Sequence, residues 1–317
     1  MSMESTRSPN DAAPVGALGE PAHPGVDGRY GLAATITAFL LWGALPLYLR
    51  PLRAVAPLAV MSHRIVWCCG FVLAWLALRG GLGEVVRALR SPPTRGRLAL
   101  SALLISGNWL GFVWAVSVGR VLDASLGYFM NPIVNVLLGV TLLGERLRRG
   151  QWAAVALAAL GVLWLGMQAG ELPWVALLLA FSFGGYGLVR KVVAVEAVAG
   201  LAAETIVLSP LALAYLAWAH ARGSTGLAPD DTFLKLWLVL GGLVTAIPLA
   251  LFSYGARRIP LSTVGLVQYL APTLQFLSGV VLFGEPLPRS RMVGFALIWT
   301  ALVVYAADGL AYARRPR

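Results

Sequence analysis

Charged residues are scarce in this sequence of 317 residues. Asp, Glu, Lys and Arg make up only 12% of the chain, whereas hydrophobic residues make up 58%. A soluble domain carries about 25% charged and roughly 45–50% apolar residues. Half the usual charge cannot cover the surface of a soluble protein of this size, so lipid must solvate most of the outside. The composition therefore predicts a polytopic integral membrane protein.

Cysteine and histidine are nearly absent as well. The two cysteines, Cys68 and Cys69, are neighbours in an apolar run, where adjacent thiols are poorly placed to bridge each other. The three histidines lie in separate regions, and the sequence has no His-Glu-x-x-His pattern and no glycine-rich loop ending in Lys-Ser/Thr. The sequence therefore predicts neither an enzyme nor an ATP-driven motor, and neither a metal site nor a cofactor.

Ten segments are long and apolar enough to cross the hydrocarbon layer, which takes about 20 helical residues. With approximate ends they are 30–49, 58–78, 98–119, 124–143, 151–169, 173–189, 198–219, 233–256, 262–283 and 291–308. Residues 1–29 form a polar tail that we expect to be disordered, and residues 309–317 form a basic C-terminal tail. The predicted fold class is an all-α integral membrane protein with ten transmembrane helices.

Arginine and lysine are concentrated in alternate loops. The net charge is +11, but the basic residues stand in short groups between apolar spans, which is typical of membrane topology and not of nucleic-acid binding. With the N-terminus in the cytoplasm, the cytoplasmic segments hold 17 of the 25 basic residues, and Arg64 lies inside a span. The positive-inside rule therefore predicts cytoplasmic N- and C-termini and an even number of spans.

An internal repeat divides the chain. Residues 126–149 align with 266–289 at a constant shift of 140, with ten identities in 24 pairs. The identical pairs that apolar bias does not readily produce include Pro132/Pro272, Gly139/Gly279, Gly144/Gly284, Glu145/Glu285 and Arg149/Arg289. The two repeats, 30–169 and 173–308, then hold five spans each. Because five is odd, the second copy enters the membrane from the opposite side, as in secondary transporters.

Several strings resemble the EamA-type drug/metabolite transporter superfamily. The pattern Pro132-x11-Gly144-Glu145 ends the fourth span, and its copy, Pro272-x11-Gly284-Glu285, ends the ninth. Strings that resemble its RarD branch, the chloramphenicol-sensitivity proteins, are Ser62-His63-Arg64, Gly107-Asn108-Trp109, Ala124-Ser125-Leu126-Gly127-Tyr128-Phe129 and Tyr186-Gly187-Leu188-Val189-Arg190-Lys191. The resemblance covers about residues 30–310. It implies a multi-pass permease of the bacterial plasma (inner) membrane that exports metabolites, amino acids, nucleobases or drugs.

Polar residues at membrane depth are costly, and they usually face a cavity or a partner. At about 100° per residue, two spans each present one polar or small face. The face of the fourth span carries Tyr128, Pro132, Asn135 and Gly139, with Ser125 and Asn131 at its edges, and that of the ninth carries Gln268, Pro272, Gln275 and Gly279. We interpret these faces as the lining of a central pathway, with helix packing as the alternative. Pro132 and Pro272 are candidate hinges, because proline frees a backbone carbonyl.

Ionisable residues inside the predicted spans are few. His63 and Arg64 lie near one end of the second span, and Glu204 lies near an end of the seventh. A proton-coupled carrier needs an ionisable group that faces each side in turn, and histidine titrates near neutral pH. These three residues are candidates for coupling. The alternatives are snorkelling to the interface and a structural Arg64–Glu204 pair.

Amides and aromatics add further candidates. Asn108 and Trp109 lie in the middle of the third span and are candidate pocket residues, and Tyr186 is a candidate in the sixth. Aromatic residues near span ends more often belong to the interfacial belt. Glu145 and Glu285 are expected to hold helix ends and turns and not to bind substrate.

The predicted function is secondary active transport of a small metabolite, amino acid or drug by alternating access. The alternative is a membrane sensor or assembly factor with no transport of its own. The expected partners are the small-molecule substrate, the lipid bilayer, and a proton or counter-substrate as the source of energy, with no nucleic acid. The sequence leaves open the substrate, the direction of transport, the coupling ion and the oligomeric state.

Overall fold

The computed structural model describes residues 26–118, 121–167, 174–224, 231–282 and 289–313. Within these ranges the regular structure is helical, and nine helices are long and apolar enough to cross a membrane. They form spans 1 to 8 and span 10, in chain order Val26–Gly43 with its continuation Leu45–Leu49, Pro57–Leu78, Pro92–Ser117, Val121–Leu143, Arg149–Met167, Trp174–Val192, Ala197–Ala221, Thr232–Ala256 and Arg289–Ala313. Most of the predicted N-terminal tail and the last four residues of the C-terminal tail lie outside the described residues.

Span 9 is interrupted. It consists of two short helices, Leu261–Gln268 and Leu270–Leu277, followed by a π-helical turn, Ser278–Leu282. Pro272 contributes to the break, because it has no N–H to donate and its ring collides with the carbonyl of Gln268, four residues earlier. The prediction of ten spans is confirmed when this broken segment is counted with the nine continuous helices.

The spans pack as a twofold relation between the two halves requires. Span 2 packs against span 7, span 4 against span 9, and span 5 against span 10, so each meets its own repeat mate. Span 1 packs against span 8, and span 6, the mate of span 1, packs against span 3. Because each half makes an odd number of crossings, the pseudo-twofold axis lies in the membrane plane. The inverted five-helix repeat is therefore confirmed.

The periphery of the bundle is apolar. In the most apolar stretch of span 6, 61% of residues are buried, against 22% in span 10, so span 6 is central and span 10 is peripheral. Exposed leucines such as Leu103, Leu163 and Leu211 are solvated by lipid tails, which are as apolar as leucine itself.

A short helix, Leu82–Arg90, lies in the connection between spans 2 and 3. Its residues Val85 and Ala88 are buried, and the carboxylate of Glu84 accepts a hydrogen bond from the backbone N–H of Glu196 at 2.8 Å. The helix is too short to be counted as a span, and it ties this connection to the start of span 7.

Spans 2 and 8 touch backbone to backbone at Gly242. A methyl group added there would lie 2.6 Å from the carbonyl carbon of Trp67 and 2.8 Å from the amide nitrogen of Cys68. Gly242→Ala is expected to push the two helices apart and to lower the free energy of unfolding by about 1–3 kcal/mol. The measurement is the midpoint of thermal unfolding of the purified protein. Gly70→Ala is the control, since nothing lies within 4 Å of its added methyl; equal losses at both positions would contradict the prediction.

Candidate functional site

A cavity of about 520 Å³ lies between spans 1, 2, 3, 4, 6, 8 and 9. This volume falls in the range of small-molecule sites. Part of the cavity is lined by residues 45–57, from the continuation of span 1 to the start of span 2. Spans 5, 7 and 10 contribute no residue to the described lining.

The cavity wall is amphipathic. Its polar members are Arg53, Arg64, Asn108, Tyr128, Asn131, Thr245, Gln268 and Gln275. Its aromatic members besides tyrosine are Phe39, Trp42, Trp109, Phe112 and Phe183. Among the described lining residues there is no Asp and no Glu, so the fixed charge of the wall is positive.

Arg64 is fixed by contacts on two other spans. Its Nε donates to the hydroxyl of Thr245 in span 8 at 2.9 Å, and its guanidinium carbon lies 5.8 Å from the centre of the Trp109 ring in span 3. The Thr245 hydroxyl donates in turn to the carbonyl of Gly241 at 2.7 Å, which leaves its oxygen to accept from Arg64. The guanidinium is therefore held on the cavity wall with a defined orientation.

Buried amides join neighbouring spans around the cavity. Asn108 donates from Nδ2 to the carbonyl of Leu179 at 2.8 Å and to the hydroxyl of Ser182 at 3.1 Å, both in span 6. Asn135 donates from Nδ2 to Oε1 of Gln268 at 2.7 Å, which joins span 4 to span 9. The amide of Asn108 is thus committed to packing, and the bond of Asn135 links the two repeats.

Asn131 differs from these amides. Its side chain is only 1% exposed and lies on the cavity wall, yet neither Nδ2 nor Oδ1 has a hydrogen-bond partner among the described residues. A buried polar group without a partner costs free energy, so such groups usually mark a functional or hydrated position. The Oδ1 of Asn135 and the hydroxyl of Tyr269 also lack partners, but among the described residues only Asn131 combines such atoms with a place on the cavity wall.

The structure brings most of the sequence-predicted residues to one cavity. Those that line it are Arg64, Asn108, Trp109, Tyr128, Asn131, Gln268, Pro272 and Gln275. Those that lie elsewhere are His63, Pro132, Asn135, Tyr186 and Glu204. Asn135 is turned toward Gln268, and Tyr186 is fully buried, with its ring stacked on that of Phe252 at 5.9 Å.

Glu204 is buried against Arg190, and the Arg64–Glu204 pair considered from the sequence does not form. Oε1 of Glu204 lies 3.4 Å from Nη1 of Arg190, and the two side chains are 2% and 0% exposed. The other groups bonded to this pair are the hydroxyls of Ser101, Tyr186 and Ser253 and the carbonyl of Ala197. Each charge therefore has a partner and additional hydrogen bonds, as a buried pair requires.

Sequence reasoning missed Arg190 because it counted this residue as a loop charge. The helix of span 6 continues to Val192, so Arg190 lies inside the bundle. The sequence did contain a signal for a buried cation near Glu204, since a carboxylate inside a span needs a positively charged partner. Thr245 and Arg53 were also missed. A lone threonine in a long span and an arginine in a short connection carry no distinctive pattern.

The end of the bundle opposite residues 45–57 is held together by Glu145. Gly144 has a φ of +65°, which ends span 4 and turns Glu145 toward span 9. The Glu145 carboxylate accepts the N–H of Leu261 at 2.6 Å, and the N–H and hydroxyl of Ser262 at 2.9 and 2.7 Å. Pro260, at the N-cap, has no side-chain oxygen to do this. We call this set of contacts the Glu145 latch.

Lys191 extends the Glu145 latch to two more spans. Its Nζ donates to the carbonyls of Ala256 and Ile259 at 3.2 and 2.6 Å, and it lies 3.9 Å from Oε1 of Glu145. A cation here satisfies carbonyls at the C-terminus of span 8, where the helix dipole favours positive charge. The expectation that Glu145 holds a helix end is confirmed, and Glu285 lies outside the described residues.

Comparison with known proteins identifies this architecture. The sequence profile of the EamA-like transporter family matches residues 29–167 and again residues 173–307. The chain belongs to the EamA-like transporter family. Protein RarD of Streptomyces exfoliatus is 46% identical over 290 residues, which cover 91% of this chain and 92% of that protein. An uncharacterized transporter of Vibrio cholerae is 43% identical over 287 residues, 90% of this chain and 94% of that protein.

The fold of this EamA-like transporter also matches a solved crystal structure. The two share 23% sequence identity with a TM-score of 0.67, over 86% of this chain and 96% of the other. The predicted family and its RarD branch are confirmed. The protein is a multi-pass membrane transporter, and its bacterial relatives indicate the inner membrane.

Proposed function

We propose that this EamA-like transporter is a secondary carrier that moves a small organic solute by alternating access, with the cavity as the solute pathway. The two ends of the repeat interface differ, and this difference supports the proposal. At one end, Asn135 and Gln268 are bonded at 2.7 Å. The shift of 140 makes Gln275 and Tyr128 the equivalent pair. Both line the cavity, as Gln268 does, but each of them contacts a different partner.

The second pair has other partners in this conformation. Gln275 donates from Nε2 to the carbonyl of Trp42 at 3.0 Å, and the Tyr128 ring packs 5.8 Å from that of Phe112. Equivalent contacts are thus formed at the closed end and replaced at the open end. If the two inverted halves exchanged conformations, the open end would close and the closed end would open.

Both termini are taken to lie in the cytoplasm, as the basic residues of the loops predict. The Glu145 latch then lies on the cytoplasmic side, and the mouth of the cavity faces outward. A proton or counter-substrate would supply the energy. His63, Arg64 and Glu204 stay predictions as coupling groups. The bonds from Glu204 to Arg190 and Ser101 favour a structural role for this carboxylate in the outward-facing conformation.

A single cysteine on the cavity wall tests alternating access. In a background with Cys68→Ala and Cys69→Ala, Val113→Cys places a thiol on the lining. A membrane-impermeant maleimide is expected to label it in both right-side-out and inside-out vesicles, because the cavity opens to each face in turn. Leu103→Cys is the control on the same span, since Leu103 is 68% exposed toward lipid and should react from neither face.

Labelling of Val113→Cys from one face only would contradict alternating access. That result, together with no solute flux in proteoliposomes, would favour the sensor or assembly factor. The experiment needs no knowledge of the substrate, because it follows the conformational change itself.

A further inference from the structure

We infer, on the basis of the carrier function proposed above, that the cavity accepts a small aryl carboxylate: a solute with one carboxylate, a flat aromatic body and no ammonium group. The carboxylate binds Arg64 and the side-chain amide of Asn131, and the aromatic body lies among the ring side chains of the wall.

Arg64 is the first element of this site. Guanidinium carries five N–H donors in a planar fork that matches a carboxylate. Within the described part of the chain, Thr245 is the only hydrogen-bond partner of Arg64, and it takes only Nε–H. The Nη groups therefore keep their donors for a ligand. Arg64 is also only partly buried, and it lies on the cavity wall, so its exposed part is accessible from the cavity.

Asn131 is the second and independent element. It lies on span 4, on the same cavity wall, and both of its amide atoms are buried and lack partners among the described residues, so a solute would reach them through a rotation of the side chain. An amide offers N–H donors to one carboxylate oxygen while its own oxygen accepts from water or from a hydroxyl. A carboxylate between spans 2 and 4 would satisfy donors on both sides of the cavity.

The charge of the wall decides between a carboxylate and an amine. Arg53 and Arg64 both line the cavity, and its described lining contains no carboxylate. An ammonium group would meet two like charges, and the described lining residues would offer it no counter-ion. Aromatic faces can bind cations, but the guanidinium of Arg64 already lies over the Trp109 ring. The same reasoning disfavours zwitterions, whose ammonium has no partner here.

The aromatic walls favour a flat body. Phe39 and Trp42 lie with ring centres 5.4 Å apart, and Phe183 lies 5.8 Å from Trp42. These three side chains line one part of the cavity, and Phe112 and Trp109 line another. Ring faces and edges pair well with a second aromatic system.

Four probes that share a phenyl ring test this assignment. Phenylpropionate is an anion, phenylalanine a zwitterion, phenethylamine a cation and phenylpropanamide a neutral amide. Radiolabelled phenylpropionate is bound to the purified full-length protein, and the other three compete for the site. We expect phenylpropionate to bind at least about tenfold more tightly than each of the others, because charged hydrogen bonds contribute more than neutral ones.

Two variants separate binding from folding. Arg64→Gln is expected to weaken phenylpropionate binding by about ten- to hundredfold. Asn131→Asp changes the shape of the side chain very little. It is expected to weaken binding of phenylpropionate more than binding of phenylpropanamide, because the new carboxylate would repel the anion. Arg146→Gln is the matched control, because Arg146 is exposed and lies away from the cavity. Size-exclusion profiles and unfolding midpoints verify that each variant is folded.

Equal or tighter binding of phenylalanine or phenethylamine would overturn the assignment, as would unchanged binding of phenylpropionate in a folded Asn131→Asp variant. Absence of binding of all four probes would also overturn it. In each of these cases, two-sided labelling of Val113→Cys would leave the carrier function standing. Labelling of Val113→Cys from one side only would contradict the proposed carrier function, whichever of the probes the protein binds.

Discussion

Arg190→Met is expected to lower the free energy of unfolding by about 3–5 kcal/mol, among the largest losses for any single change in this protein. The substitution removes the cation from Glu204, which is 2% exposed, and the bundle cannot reorganise to hydrate a carboxylate at that depth. It also leaves the Ser253 hydroxyl and the Ala197 carbonyl without their donor. Thermal or denaturant unfolding of the purified protein measures the loss.

A double variant shows whether the loss comes from the ion pair. Arg190→Met with Glu204→Gln removes both charges, and an uncharged pair of similar volume is often close to neutral for stability. We therefore expect the double variant to be more stable than Arg190→Met alone. Arg146→Met is the control, since an exposed arginine should change stability by less than about 0.5 kcal/mol. Strictly additive losses would mean that the two charges do not interact.

Glu145→Ala is expected to open the closed end of the transporter. The Glu145 latch makes three hydrogen bonds to the first turn of span 9, two of them to backbone N–H groups that have no other cap. Their loss should cost the closed conformation on the order of 3 kcal/mol, about a hundredfold in the ratio of closed to open molecules. Spin labels replace the exposed residues Arg29, in span 1, and Arg146, next to Glu145, and the distance between them is measured as the report of opening.

The expected result for Glu145→Ala is a longer distance between the two labels in a major fraction of molecules. Glu196→Ala provides the matched control, because Glu196 is an exposed carboxylate at the same end of the bundle and caps no helix with its side chain. It should leave the distance distribution unchanged. A distribution in Glu145→Ala that matches the wild type would show that the latch does not hold this end closed.

The sequence predicted much of this architecture, because its two strongest signals, the apolar spans and the internal repeat, can be read along the chain. Apolar length defines a span whatever it packs against, and the repeat of Pro132 and Gly144-Glu145 in the second half defines the inversion. The face of span 4 that carries Tyr128 and Asn131 was also predictable, since helical spacing alone places these residues together. The lining at Gln268 and Gln275 follows from the same repeat.

Other parts of the site depend on contacts between distant segments, which periodicity does not encode. Arg190 and Glu204 are 14 positions apart on different spans, and nothing in the local pattern separates a buried arginine from a loop arginine. Asn135 shares a helical face with Tyr128, yet its amide bonds to Gln268 at the closed end. The sequence could define that face, but it could not say where along the membrane the cavity stops.

The two repeated prolines have different effects in this conformation. Pro272 interrupts span 9, whereas Pro132, its equivalent, lies inside the unbroken helix Val121–Leu143. One local sequence pattern therefore supports both a continuous and an interrupted helix within a single molecule. The interruption is then set by neighbouring contacts together with proline. Helix continuity becomes an internal indicator of state: a molecule open on the opposite face should carry its interruption in span 4.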